Sequence, residues 1–159
     1  MFATAERRLI LAMVIALGAI SGAWFSELVL HFVPCLLCLW ERWPYYLALP
    51  LALAGLVLLR GEAARYRPHL AMMLGVIFVV STGLGLYHAG VEWKLFPAPD
   101  CGGRLGGAVS LDDFRKALST ARVVLCDEAP MRVLGLSFAG WNAVASAVIA
   151  ALCFSAVKR

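Results

Sequence analysis

Four long apolar stretches constrain this chain more than any other feature of its sequence. They run over residues 9–30, 36–59, 70–88 and 133–157. A membrane-crossing helix needs roughly 20 apolar residues, because each rises about 1.5 Å through a hydrocarbon core of about 30 Å. Lipid offers the backbone no hydrogen-bond partners, so all four stretches are expected to be helical. This holds even where a run such as Val76-Ile77-Phe78-Val79-Val80 favours strand. Hydrophobic residues make up 62% of the chain and charged residues 15%. Typical soluble domains carry about 45–50% and about 25%. That balance excludes a disordered tail, a nucleic-acid-binding arm and a small secreted disulfide scaffold, and it argues against an ordinary soluble enzyme. The expected fold class is all-α: an integral membrane four-helix bundle, forming a single membrane domain over residues 1–159.

The charges set an orientation. Arg7 and Arg8 precede the first stretch, Arg60, Arg65 and Arg67 separate the second and third, and Lys158 and Arg159 follow the fourth. Against these stand only Glu6 and Glu62. The long connection 90–132 balances six basic residues with six acidic ones. The positive-inside rule therefore puts both termini and the 60–69 loop in the cytoplasm, with the connections 31–35 and 90–132 facing outward. A cleaved signal peptide is the competing reading of the N-terminus. Its apolar run of about 22 residues exceeds the 7–15 of a typical signal core, which favours a retained helix.

The long outward connection opens with Pro97-Ala98-Pro99 and contains Gly102, Gly103, Gly106 and Gly107, all turn formers. Within it, Ser110 to Leu118 reads as a short amphipathic helix. Ser110 can cap it, and Leu111, Phe114 and Leu118 share one face. That face can pack on the loop itself or lie on the membrane surface.

The five cysteines sort by this topology. Cys35 and Cys38 begin the second stretch, Cys101 and Cys126 lie in the long outward connection, and Cys153 lies deep in the fourth stretch. Four of the five thus sit where disulfides persist; Cys153 reads as a small buried apolar residue. Cys35-Leu36-Leu37-Cys38 has the C-x-x-C spacing of redox and metal-binding pairs. At a helix start the two sulfurs share a face, and the unpaired N–H groups favour a thiolate. Cys101 and Cys126 taken alone read as a structural staple, worth roughly 3 kcal/mol in the chain-entropy model. Beside a second outward pair they can instead exchange electrons by thiolate attack. A zinc or copper site built from Cys35, Cys38 and His31, with His88 joining, is the other reading. Cys101 and Cys126 are too far apart in sequence to supply the second close couple of a structural zinc site.

Glu41 and Arg42 follow within the second stretch. Arg42 lies one turn below Cys38 on nearly the same face, about 6 Å along the axis. A charge inside a span is costly. One reading is a snorkelling Arg with an interfacial Glu. In the other, the planar guanidinium holds a carbonyl-bearing or anionic ligand such as a quinone against Cys38. His88, at the outer end of the third stretch, is a candidate donor to the same ligand. Trp24, Trp40, Trp43, Trp93, Tyr45 and Tyr46 read mainly as aromatic-belt residues.

Pro34-Cys35-Leu36-Leu37-Cys38-Leu39-Trp40-Glu41-Arg42 resembles the P-C-x-x-C-x-x-E-R signature of the disulfide bond formation protein B (DsbB) family. The resemblance extends to the four stretches, the short then long outward connections with one cysteine pair each, Tyr87-His88, and Cys126-Asp127-Glu128 followed by Leu134-Gly135-Leu136. It implies a multi-pass protein of the bacterial inner membrane that reoxidises a periplasmic DsbA-like thiol oxidase and passes the electrons to the membrane quinone pool, as ubiquinone or menaquinone. It also implies roles: partner attack at Cys101, release of Cys126, attack of Cys126 on Cys35, and Cys38 left facing the quinone beside Arg42. The quinone is expected near the outer ends of spans one, two and four. Two other functions stay open at this point. One is a quinone reductase of the vitamin K epoxide reductase type, against which the Glu-Arg after the C-x-x-C argues. The other is a non-enzymatic metal-binding membrane protein.

Overall fold

The computed structural model describes residues 2–97 and 126–157. Cys101, the expected helix at 110–118 and the terminal Lys158 and Arg159 lie outside the described residues. Among the described residues, four long helices carry the fold: α1 (Phe2–Leu28), α2 (Leu36–Leu58), α3 (Arg67–Glu92) and α4 (Phe138–Val157). Three segments, Thr4–Leu28, Gly61–Glu92 and Phe138–Val157, are long and apolar enough to cross a membrane. α2 is of similar length, and its first half carries Glu41, Arg42, Trp43, Pro44, Tyr45 and Tyr46 ahead of an apolar second half.

Each boundary has a local cause. Cys35 caps α2 with its own sulfur, which accepts the Cys38 backbone N–H. Pro44 and Pro50 sit inside α2 without ending it; flanking helices make such interruptions tolerable in apolar surroundings. After α2, Gly61 takes a positive φ of 57° and opens a 3-10 turn, Gly61–Tyr66, that leads into α3. The fourth apolar stretch is helical only from Phe138, not from residue 133. Strand β1 (Arg132–Val133) pairs antiparallel with β2 (Leu136–Ser137), in register Arg132 to Ser137 and Val133 to Leu136. The two-residue turn Leu134-Gly135 has positive φ at both positions, 53° and 84°, the signature of a type I′ hairpin. Ser137 Oγ then accepts the Gly140 N–H at 3.2 Å and starts α4.

α3 packs mainly on α4, α4 on α1, and α2 on both α3 and α1. The shared core contains Leu9, Ala16, Ala48, Ala52, Leu74, Phe78, Ile149 and Cys153. Apolar side chains such as Val14, Leu17, Leu53, Leu58, Val80 and Val148 also face outward. An apolar surface around an apolar core departs from the pattern of a water-soluble bundle and suits an apolar solvent. At one end, Arg8 donates to Ser155 O at 2.5 Å, while Arg67 pairs with Glu6 at 3.2 Å and donates to Leu59 O at 2.8 Å. The start of α1, the α2–α3 connection and the end of α4 therefore meet at the same cationic end.

Small residues set the α3–α4 spacing. A Cβ on Gly85 would stand 2.9 Å from Ala143 N and 3.0 Å from Ala139 O, both backbone atoms that cannot swing aside. Gly85→Ala is therefore expected to force α3 from α4 and destabilise the protein by about 1–3 kcal/mol, the usual cost of overpacking. Thermal unfolding in detergent checks this; an unchanged midpoint would show that the two helices can part freely.

Candidate functional site

The end of α2 opposite the cationic connections brings together most of the sequence candidates. Pro34 is followed by Cys35 in extended conformation, and the helix begins at Leu36. Cys35 Sγ accepts the Cys38 N–H at 3.2 Å and lies 3.6 Å from His88 Nε2. The two sulfurs and one ring nitrogen of His88 all lie within 4.8 Å of one another. His88 comes from α3, one turn before its end, and is 3% exposed. Its Nδ1 meets Glu41 Oε1 at 2.8 Å, and its Nε2 lies 3.9 Å from Glu92 Oε1. Three elements thus converge on one sulfur: the helix start that presents it, the imidazole, and the carboxylate that orients the ring.

The Cys35 thiol is lowered to about 4. Hydrogen bonding from the Cys38 side chain is the largest cause; burial opposes it, and the His88 ring and the Cys38 N–H add to it. Each of these donors favours the thiolate at a helix N-terminus.

Arg42 is where the spacing puts it, one turn beyond Cys38, but it is not unpartnered. Its Nη1 donates to Glu27 Oε2, from the last turn of α1, at 2.5 Å. Below it, Tyr45 Oη donates to Asn142 Oδ1 at 2.6 Å and meets Ser146 Oγ at 3.0 Å, and Ser146 in turn meets Ser81 at 2.9 Å. This polar chain ties α2, α3 and α4 together inside the apolar core.

A cavity of about 480 Å³ runs along these residues. Cys35, Cys38, Glu41, Arg42 and Tyr45 form one wall, His88 and Glu92 another, and Trp141, Asn142 and Ala145 a third. α1 closes it with a small-residue face that includes Gly18, Gly22 and Ala23. A Cβ on Gly18 or Gly22 would meet nothing within 4 Å, so these glycines leave open space.

Cys126 completes the sulfur inventory of the described residues. It is disulfide-bonded, 1% exposed, and clustered with Cys35 and Leu37, against which Cys38 also packs. Next to it, Asp127 pairs with Lys94 at the end of α3, and this ammonium holds the Asp127 carboxyl below the usual carboxylate range. The clasp anchors the Cys126 segment to the helix that carries His88. His31 is exposed, has a positive φ of 56°, and stands apart from the Cys35–Cys38–His88 convergence.

Sequence reasoning placed no role on Glu92, Asn142 or Glu27. Glu92 lies one turn after His88, a spacing at which the two share a helix face. For Asn142, the signal was a lone amide in an otherwise apolar stretch.

A family model described as disulfide bond formation protein DsbB matches residues 5–156. A disulfide bond formation protein B from Marinobacter nauticus is 30% identical over 84% of this chain and 80% of its own length. A disulfide bond formation protein B 1 from Pseudomonas fluorescens is 31% identical over 92% and 86%. An uncharacterized protein from Rickettsia prowazekii is 24% identical over 80% and 73%. No solved structure matches the chain.

The lowered Cys35 predicts that the reduced protein keeps a thiolate above about pH 4 and loses it only as the pH falls through that value. An ultraviolet thiolate titration of Cys153→Ala protein reads this directly. His88→Asn is expected to move the midpoint up toward the ordinary thiol value of about 8.5; a midpoint already near that value in the parent protein would contradict the geometry.

Proposed function

The chain belongs to the DsbB family of disulfide bond formation proteins, and on that premise we propose that it is a quinone-dependent membrane thiol oxidase. In this reading it is a single membrane domain whose four helices span the bacterial inner membrane, with both termini cytoplasmic. It reoxidises a periplasmic DsbA-like thioredoxin-fold oxidase and delivers the electrons to ubiquinone or menaquinone. One observation carries the reading: disulfide-bonded Cys126 is buried in the same cluster as Cys35 and Cys38. A disulfide sulfur packed against a second cysteine pair can exchange with it; a loop staple has no need to rest on a reactive pair.

The disulfide steps follow from the roles of the sulfurs. A partner thiolate attacks Cys101 and releases Cys126. Cys126 attacks Cys35 Sγ, breaks the Cys35–Cys38 bond and releases Cys38. The partner's second thiolate then frees Cys101, which displaces Cys35 from Cys126. The partner leaves oxidised, Cys101–Cys126 is restored, and Cys35 and Cys38 hold two electrons and two protons. His88 Nε2, oriented through Glu41, takes or returns the proton at Cys35 Sγ.

The cavity residues fit a quinone. The space is largely apolar-walled and opened by Gly18 and Gly22, and its polar wall sets Arg42 and His88 beside Cys38. Planar guanidinium and imidazole donors suit an oxygen that gains negative charge. The chemistry a bound quinone supplies is acceptance of two electrons and two protons as Cys35–Cys38 closes. Arg42 and His88 would hold it, and the apolar wall would exclude water.

A second reading has one observation in its favour. Two sulfurs and an imidazole nitrogen within 4.8 Å, with Glu41 behind the ring, also suit a thiophilic metal ion.

The deciding experiment mixes purified protein, a reduced thioredoxin-fold dithiol and a quinone, and follows quinone absorbance. Turnover is expected, and Cys38→Ser should lower it by roughly a hundredfold or more, as loss of a nucleophile does. In the same variant the mixed disulfide with the partner should still form at Cys101. No turnover with any common quinone, together with metal retained by the parent protein and lost in Cys38→Ser, would replace the oxidase reading with the metal one.

A further inference from the structure

Among the described residues, three buried side-chain atoms lack a hydrogen-bond partner: Glu92 Oε2, Asn142 Nδ2 and Asp127 Oδ1. Asp127 belongs to the Lys94 clasp. The other two belong to residues that line the same cavity. Burying an unpaired polar atom costs several kcal/mol in apolar surroundings, so two on facing walls of one cavity point to a ligand that satisfies them.

Their chemistry differs. The 2.6 Å contact between Tyr45 Oη and Asn142 Oδ1 has the length of a hydroxyl donating to a carbonyl, shorter than the N–H···O range. That fixes the amide: Oδ1 is committed to Tyr45, and Nδ2 is left as a donor. Nδ2 can face only an accepting oxygen. Glu92 has a side chain 3% exposed and its Oε1 3.9 Å from His88 Nε2, and Nε2 is in turn 3.6 Å from Cys35 Sγ. Glu92 stands 3.9 Å from the ring, beyond hydrogen-bond length, yet is the nearest carboxylate to the Nε2 edge that faces the Cys35 thiolate, and is placed to take the proton held there and present it to the cavity.

The two atoms also sit at different depths. Asn142 is bonded to Tyr45, seven residues beyond Cys38 on α2, about 10 Å along the helix axis. Glu92 is at the Cys35 end. A rigid ring with oxygens at opposite edges spans such an arrangement; an acyl chain satisfies neither atom.

Building on the quinone-oxidase reading, we infer that Asn142 and Glu92 are two further polar anchors, beside Arg42 and His88, of a 1,4-dioxygenated ring in this cavity. Asn142 donates from Nδ2 to the carbonyl oxygen remote from the thiols. Glu92 serves the oxygen nearest them and supplies its proton. Joining Cys35 and Cys38 forms one S–S bond and releases two electrons and two protons, and the ring takes up both pairs. One of those protons, held by His88 Nε2 against the Cys35 thiolate, passes from Nε2 to Glu92.

The test separates binding from proton transfer. Binding of a 1,4-benzoquinone carrying one isoprene unit is read by quenching of tryptophan fluorescence, since Trp141 lines the cavity. Asn142→Asp keeps the acceptor for Tyr45 and deletes the donor; it should weaken binding about five- to tenfold, the loss of one hydrogen bond, and Asn142→Leu should do the same. Glu92→Gln should leave binding within about twofold. It should slow quinone reduction by the pre-reduced Cys35–Cys38 pair about a hundredfold, the usual contribution of a general acid–base group. Glu92→Asp should restore part of the rate. Unaltered binding in both Asn142 variants, or a full reduction rate in Glu92→Gln, overturns the inference while the proposed function stands. A parent protein that exchanges disulfides but neither binds nor reduces the quinone overturns the proposed function, and the inference with it.

Discussion

A carboxylate buried among apolar helices must be paired, and Glu41 is paired with His88. At 2.8 Å, both side chains nearly inaccessible, this contact joins α2 to α3. Breaking such a pair by removing one partner leaves an uncompensated charge in a medium that screens poorly. The same contact fixes which edge of the imidazole faces Cys35. With Glu41 on Nδ1, Nε2 is turned to the sulfur, and Glu92 falls beside it. The reactivity of the first cysteine, the course of its proton and the registration of two helices therefore depend on one hydrogen bond.

The surrounding packing makes that contact possible. Gly85 lets α3 approach the α4 backbone closely, just before the turn of α3 that carries His88. The Tyr45–Asn142–Ser146–Ser81 chain then pins α2, α3 and α4 at the level below. α1 contributes differently: its glycines keep space open where a fourth fully packed helix would have filled it. The rigid side of the molecule holds the chemical groups in place, and the small-residue side makes room for what they act on.

Much of this was legible from residue types and spacing. The apolar stretches anticipated the helices, because an apolar solvent leaves the backbone no alternative. Cys35, Cys38 and Arg42 were readable as one face because helix geometry is local. Contacts between helices were not readable. Nothing local tells that Glu27 on α1 reaches Arg42, that Asn142 on α4 meets Tyr45, or that His88 is buried rather than solvated at the boundary. The start of α4 differs from the start of its apolar stretch for a related reason. An apolar run says where lipid is tolerated, whereas the backbone of Leu134-Gly135 and the hydroxyl of Ser137 decide where the helix begins. α2 shows the converse: its polar first half departs from a membrane-spanning composition where the site is built.

The sulfur that caps α2 has a consequence for energetics. As a thiolate, Cys35 accepts the Cys38 N–H and satisfies a helix end that would otherwise go without. Once joined to its neighbour, that sulfur carries no charge and accepts poorly, so the first turn of α2 loses its cap. Side-chain caps are worth on the order of 1 kcal/mol. For a two-electron couple that corresponds to roughly 20 mV. The secondary structure itself thus leans toward the reduced pair and makes the bond a slightly stronger electron acceptor, which links the winding of a helix end to the direction in which electrons travel.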